Sequence, residues 1–282
     1  MTMRCAITGA AGHVGSAMAR CFREHDWEVL GLGRRRDAES SRHVPYELSA
    51  DPRRLPWQEV DALVHCAYDF HPKTWDAIHA VNVAGSIALL RAARENGVRR
   101  IVFISSLSAF AGCQSHYGKA KIEIEAAALE LGCAVVRPGL VWSRNPGALL
   151  GALESVVTRR RIVPLIGDGS YPQYLVFDED LAQLVFELCQ SDAPTVPRPI
   201  SAAHPEKHSF RSLLERLAQK HGRRPRFVPV PWRLMFHGLK TLESLGLPTP
   251  FRSDSLLGIV FQNPSPEFSL PEMPQITFRP FA

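Results

Sequence analysis

The chain has no apolar run of the roughly 18 to 20 residues that a bilayer crossing requires, although it is 282 residues long. Its start, Met1-Thr2-Met3-Arg4, enters a strand pattern directly, without the charged, apolar and small-residue zones of a signal peptide. A cytoplasmic location is therefore expected, with no membrane partner. Cysteine is sparse and scattered, at positions 5, 21, 66, 113, 133 and 189, with no Cys-x-x-Cys. That spacing argues against a disulfide framework and against a metal site, so the cysteines read as buried, reduced thiols. Arginine clusters at 34–36 and 159–161 lack the interleaved aromatics of a nucleic-acid platform, and no nucleic-acid partner is expected. No internal repeat is visible. The net charge of +5 suits an anionic substrate or cofactor, and equally an ordinary surface imbalance.

What is present is a globular composition, 45% hydrophobic and 22% charged. The length suffices for one large domain or one and a half. Arg4–Thr8 reads as a short buried strand. Gly9-Ala-Ala-Gly12-His13-Val14-Gly15 follows, then a helical run from Ser16 to about His25. Strand, glycine turn and helix in that order are the setting of a dinucleotide fingerprint. Gly9 permits the tight turn, Gly12 the approach of backbone to pyrophosphate, and Gly15 close packing of helix on strand. His13 and Val14 lie within the same turn and join the expected cofactor contacts. The second strand, Trp27–Gly33, ends without the carboxylate that bonds a ribose 2′-hydroxyl in NAD sites. Gly33 stands there, followed by Arg34-Arg35-Arg36. A guanidinium suits a 2′-phosphate, so NADP is the preferred cofactor, with NAD the alternative and Arg34 the best single candidate.

A third strand around His43–Leu48 brings Leu48 near the adenine. The fourth, Ala62–Ala67, is nearly all apolar, as a strand covered on both faces should be. Cys66 and Ala67 fall at its end. A helix follows over Asp76–Asn96, then strands at Arg100–Ile104 and Cys133–Arg137, the latter ending at Pro138. Strands alternating with helices argue for an α/β fold, a doubly wound Rossmann-type parallel sheet. In such sheets ligands bind beyond the carboxyl ends of the strands, where His65, Ser106 and Pro138 fall. Tyr117-Gly-Lys-Ala-Lys121 places a phenol and an ammonium one helical turn apart, on one face. A free tyrosine titrates near about 10, and a neighbouring ammonium lowers that value. Such a pair can pass a proton to or from a substrate oxygen.

With these pieces in place the chain resembles the extended short-chain dehydrogenase/reductase family, the NAD-dependent epimerase/dehydratase type. The matching stretches are Thr8–Gly15, His65-Cys-Ala-Tyr68, Val81-Asn82-Val-Ala-Gly85, Ile104-Ser-Ser106, Tyr117-x-x-x-Lys121, Arg137-Pro-Gly139, Gly167-Asp-Gly169 and Asp180-Leu-Ala182. The resemblance implies that Tyr117 is the acid/base. Lys121 would hold the nicotinamide ribose and depress the tyrosine pKa. Ser106 would bond the substrate oxygen, and Asn82 would support the lysine through a water. Ser108 is the fallback for the serine role, while Ser105 and His116 read as structural. Leu107-Ser108 replace the acidic pair that sugar dehydratases of this type carry, which argues against dehydration. The resemblance also implies a homodimer formed through the helices that include Lys121.

The second half is less patterned. Residues 1–140, with 174–190 returning, are expected to form the dinucleotide-binding domain. Residues 141–173 and 191–282 are expected to form a small substrate-binding lid. Helices are expected over Ala148–Arg160, Asp180–Cys189 and Ser209–Ala218, the last capped by Ser209. An edge strand is expected at Phe227–Pro231, and irregular structure from Pro264 onward. A connection begins at Asn145-Pro-Gly147. Gln173 stands where nucleotide-sugar enzymes of the family carry a diphosphate-binding arginine. Arg144, Arg159, Arg160, Arg211 and Arg252 are substitutes to be weighed, and Trp75, Trp142 and Tyr171 are candidates to line the pocket. The expected function is NAD(P)-dependent hydride transfer at a carbinol or ketone carbon, as an oxidoreductase or epimerase on a small-molecule substrate. A nucleotide sugar is the first choice. The alternatives are reduction of a non-sugar carbonyl by NADPH and a non-catalytic NADP-sensing regulator.

Overall fold

The computed structural model describes residues 2–144, 147–190, 198–249, 251–268 and 276–281. Strands β1 (Arg4–Thr8), β2 (Glu28–Gly33), β3 (Arg42–Pro45), β4 (Ala62–His65), β5 (Arg100–Ile104) and β6 (Ala134–Pro138) alternate with helices. The helices are α1 (His13–Glu24), α2 (Trp75–Ile78), α3 (Gly85–Glu95) and α4 (His116–Glu130). Then come β7 (Leu140–Trp142), α5 (Ala148–Arg159), β8 (Ile162–Ile166), β9 (Pro172–Gln173), β10 (Leu175–Phe177) and α6 (Asp178–Gln190). The chain continues through β11 (Ile200–Ala202), β12 (His208–Ser209), α7 (Phe210–Lys220), β13 (Arg226–Val230), α8 (Trp232–Ser244) and α9 (Ser253–Val260).

Among the described residues, a seven-stranded sheet runs in the order β11-β6-β5-β4-β1-β2-β3, parallel throughout. Side chains alternate across it with the period of two that a strand imposes. Cys5, Ile7, Val29, Val64, Val102 and Ile104 face one layer with Met18 and Phe22 of α1 and Leu184 and Phe186 of α6. Ala6, Leu30, Leu32, Leu63, Ile101 and Phe103 face the other, with Leu89 and Leu90 of α3 and Ile124 of α4. Burying a side chain of this size stabilises the fold by about 1.5–3 kcal/mol. Both faces are covered at the centre of the sheet, so β4 is buried along its whole length, as the sequence anticipated, whereas the edge strand β3 is partly exposed. The chain order reverses between β1 and β4, which opens a crevice at their carboxyl ends.

Three differences from the sequence reading bear on the site. The helix after the glycine turn starts at His13, three residues earlier than Ser16. The helix expected over Asp76–Asn96 is interrupted by a π-helical turn at His79–Ala84, a device that inserts one residue and re-aims its neighbours. Strand β11 joins the sheet beside β6, so its seventh strand comes from the stretch expected to lie in the lid. A third core joins α5, α7, α8, α9 and β8, with Leu153, Leu165, Leu213, Leu239 and Leu256 at its centre. Ser209 caps α7, accepting from the Ser212 amide at 3.0 Å. Residues 264–268 and 276–281 are irregular, with Phe278 and Phe281 buried. Asn145 and Pro146 of the expected connection lie outside the described residues, as do 191–197 and 269–275 of the expected lid.

Candidate active site

The crevice begins at the turn after β1. Gly9 has φ +66°, a left-handed conformation that favours glycine, and its amide donates to Leu32 O at 2.8 Å. A Cβ on Gly15 would stand 2.2 Å from Gly9 O, so only hydrogen fits between helix and turn. Gly12 is the N-cap of α1, with no side-chain cap and no acidic residue in the first turn. The Gly12 amide donates to Gly9 O at 2.8 Å, and no side chain caps the amides that follow, which can meet an anion that the helix dipole favours.

The ends of β1 and β4 are locked by side chains. Thr8 Oγ1 accepts from the amides of Cys66 and Ala67, each at 3.1 Å. Its own proton therefore goes to His65 Nδ1, 2.7 Å away. His65 Nε2 then donates to Ser86 Oγ at 2.8 Å. Burial pushes His65 down to about 3, and the Lys121 charge adds to the shift, so the ring is neutral. Burial likewise pushes the Cys66 thiol up to about 12, which leaves it unreactive. Asn82, fully buried in the π turn, accepts from the Asp69 amide at 2.7 Å and donates to Asp69 O at 2.9 Å. Its hydrogen bonds hold the loop after β4 and none of them reaches Lys121.

The opening of α4 has all of its first amides satisfied. Ser115 Oγ accepts from Gly118 N at 3.1 Å. Asp254, from α9, accepts from His116 N at 2.7 Å and from Tyr117 N at 3.1 Å. A carboxylate at a helix N-terminus is favoured by the dipole as well. Farther along the helix, buried Glu125 accepts from Ser105 Oγ at 2.5 Å and from Arg137 Nε at 2.8 Å, a pair that ties α4 to β5 and β6. Ser105 is structural, as expected.

Tyr117 and Lys121 share a face of α4 and both line the crevice. Ser106 bonds the Tyr117 hydroxyl and favours its ionised form, but burial dominates and pushes the phenol up to about 12. This corrects the anticipated depression by Lys121. The lysine Nζ donates to Ile104 O at 2.7 Å and lies 5.7 Å from the centre of the tyrosine ring. Burial pulls Lys121 down to about 8, against the opposing charge of Glu125. Tyr68 packs edge-on to Tyr117 at 4.8 Å, and Phe70 stacks on it at 5.9 Å.

Two cavities meet at this tyrosine. The first, about 430 Å³, runs along the strand ends. Gly9, Gly12, His13, Val14, Gly15, Arg34, Leu48, Cys66, Ala67, Tyr117, Lys121 and Pro138 all line it, together with Ser106. Asn82 does not. The second, about 420 Å³, lies between Tyr117 and the C-terminal region. Its walls are mainly apolar, with Leu107, Leu140, Leu149, Phe251 and Ile259 among them, and Gln173 and Arg252 supply polar groups. His13, Ser106, Tyr117 and Phe70 line both. Of the five arginines considered, Arg252 alone faces this space; Arg144, Arg159 and Arg160 are exposed, and Arg211 bonds Asp168 O. Ser108 lines the second cavity, but its amide donates to Ser106 Oγ, and it is Ser106 that bonds the tyrosine. Trp75, Trp142 and Tyr171 line neither cavity. Trp75 stacks on His116, Trp142 packs against Phe177, and Tyr171 covers Gly167. Phe70, Phe251, Thr8, Glu125 and Asp254 were not anticipated.

A parallel sheet with a glycine turn, a bare helix start and a Tyr-x-x-x-Lys face at its switch point defines a dinucleotide-binding α/β protein. The chain belongs to the NAD dependent epimerase/dehydratase family, whose model matches residues 5–198. It is similar to the ceramide reductase of Caulobacter vibrioides, 25% identical over 237 residues that cover 80% of this chain and 73% of that one. It is 30% identical over 184 residues to methionine adenosyltransferase 2 subunit beta of Bos taurus, covering 55% of this chain and spanning about half, 51%, of that relative. Among solved structures, MoeE5 in complex with UDP-glucose and NAD superposes with a TM-score of 0.69 at 19% identity, covering 91% and 96% of the two chains. The UDP-glucuronic acid 4-epimerase from Bacillus cereus in complex with NAD does so at 0.69 and 16% identity, covering 81% and 86%. At such identities these structures establish a common fold.

Proposed function

We propose that the chain is an NAD(P)-dependent oxidoreductase that moves a hydride at a ketone or carbinol carbon, with Tyr117 as the proton donor. The observation that carries this reading is the placement of Ser106 and Tyr117 where the two cavities join. The residues fit a dinucleotide: Gly9–Gly15 form a cradle that a Cβ would fill, and the helix start is bare. When bound, the nicotinamide supplies the hydride. The chain's own groups do the rest. Ser106 Oγ and Tyr117 Oη hold the substrate oxygen, and Tyr117 gives it a proton as the carbon receives the hydride. A phenol pushed up to about 12 keeps its proton at neutral pH, as a proton donor to a carbonyl oxygen must. Lys121 places a positive charge close to the phenolate left behind. Asn82 steadies the Cys66–Asp69 loop on which the cofactor lies.

The apolar walls of the second cavity favour a largely apolar carbonyl compound as substrate. Arg252 in the same wall favours a second reading, a nucleotide sugar whose diphosphate it would bind. For the cofactor, Arg34 and Arg35 line the crevice beyond Gly33. The first acid after the strand in sequence, Asp37, is buried and engaged with Ser40, so NADP is preferred. A homodimer would use the outer sides of α3 and α4, where Ile87, Ala88 and Ala126 line a shallow depression.

Tyr117→Phe should lower kcat about 10³-fold while leaving cofactor affinity unchanged. Retained turnover would sink the mechanism, and a function unaffected by the change would point to a sensor. Arg34→Ser should weaken NADPH binding about tenfold and leave NADH alone. Tenfold tighter binding of NADH than NADPH by the unaltered chain would end the NADP preference.

A further inference from the structure

Helix α8 has two apolar faces. Trp232, Phe236 and Leu239 turn inward onto the C-terminal core. At 3.6 residues per turn, Leu234, Thr241 and Leu245 fall on one outward line, with Leu242 beside it. Leu234 is 66% exposed, Leu245 68%, Leu242 39%, and Leu247 in the following turn 50%. Arg233, His237 and Lys240, all exposed, form the adjoining row. A leucine ridge bordered by cations is the pattern of a helix that lies in a membrane interface. Apart from Phe70, every large hydrophobic residue that is exposed among the described residues belongs to the C-terminal region. Scattered surface apolar residues need no explanation, but a concentrated patch does.

Charge is concentrated in the same stretch of the sequence. Residues 220–252 carry seven lysines and arginines against one acid, Glu243, a net of +6 in a chain whose total is +5. Glu243 is occupied internally, accepting from Ser253 N and Ser253 Oγ, each at 2.7 Å. Arg223, Arg224, Arg226, Arg233 and Lys240 are exposed and form no ion pair among the described residues.

We propose that α8 docks the protein onto an anionic lipid bilayer, its leucine ridge entering the acyl boundary and its cations meeting the headgroups. This departs from the expectation of no membrane partner, which concerned spanning segments; no described helix is long and apolar enough to cross a membrane. The end of α8 is fastened to the loop that carries Phe70, through Lys73 Nζ on Glu243 O at 3.1 Å. Arg252 Nη2 on Pro72 O, at 3.2 Å, fastens the start of α9 to the same loop. Docking therefore brings the mouth shared by the two cavities close to the lipid surface. An amphiphile could pass from the bilayer to Tyr117, a consequence that rests on the oxidoreductase reading; the docking does not.

The test is co-sedimentation of the full chain with two kinds of vesicle, pure phosphatidylcholine and phosphatidylcholine with roughly a quarter phosphatidylglycerol. The chain should bind the anionic vesicles alone, and less as salt rises. Leu234→Glu with Leu245→Glu should lower the bound fraction about tenfold, and Arg233→Glu with Lys240→Glu should abolish the preference for anionic lipid. All four side chains are exposed, so thermal melting and cofactor binding should match the unaltered chain. Absence of binding to anionic vesicles overturns the proposal. So does unchanged binding by the leucine variant, which would mean charge adsorption without insertion. A dimer in light scattering that Leu234→Glu splits, without vesicle binding, would assign the ridge to a second copy of the chain.

Discussion

The two cavities are built in different ways. The first is shaped largely by backbone: the turn at Gly9, the bare start of α1 and the strand ends of the sheet. The second is shaped by side chains from β7, α5, β9 and α9, brought together from more than a hundred residues of chain. A backbone-built cleft admits few solutions, so it repeats a glycine spacing that can be read locally. A side-chain-built cavity leaves its chemistry in isolated residues that have no pattern of their own.

The contrast would break first at Glu125. It lies in the sheet half, yet it works through side chains, joining α4 to Arg137 and Ser105. Glu125→Ala should cost about 3–5 kcal/mol in denaturant unfolding, because Arg137 would be left beside the core without its partner. A loss under 1 kcal/mol would mean that the backbone alone holds this half.

His65 sharpens the contrast through pH. Its folded value, about 3, lies below the unfolded value near 6.5. Between those values the unfolded chain takes up a proton that the folded chain refuses. The contribution is complete above about pH 6.5 and is lost as the pH falls toward 3. Stability should drop by about 3 kcal/mol between pH 7 and pH 4 from this group. His65→Gln should be weaker at pH 7 and show a correspondingly flatter decline; an equal decline would remove His65 from the account.

The smallest effect is expected where the halves join. Asp254→Ala should cost about 1–3 kcal/mol and lower kcat more than it raises KM, because the α4 amides of His116 and Tyr117 lose their acceptor. Asp254→Asn should recover part of the loss. Equal kinetics in all three chains would show that the position of Tyr117 does not depend on the C-terminal region.

Much of the sheet half was legible. The residues expected at the cofactor all line one crevice, because a dinucleotide turn and a four-residue helical repeat constrain sequence at short range. The interior of that half was less so. The bonds from Asn82 to Asp69 were not anticipated, since nothing in the stretch Val81–Gly85 reveals a loop thirteen residues upstream. The acidity of Tyr117 was misjudged for a different reason. Spacing fixes which face Lys121 shares, but not that its proton goes to Ile104 O or that burial sets the acidity of Tyr117. Trp75, Trp142 and Tyr171 proved to be packing residues because aromatic side chains serve cores more often than cavities. In the C-terminal half, α8 and α9 escaped notice: one buries a face and exposes leucines on another, which blurs its period.

The bond from Asp254 to the start of α4 also has a direction in time. Asp254 lies 137 residues after Tyr117. On a ribosome adding roughly 5–20 residues per second, it is made roughly 7–30 seconds later. During that interval the sheet strands through β6 can pair while the first turn of α4 still lacks two of its acceptors. The tyrosine is then set in place by one of the last helices synthesised, so a nascent chain could acquire its cofactor fold well before it acquires a working site.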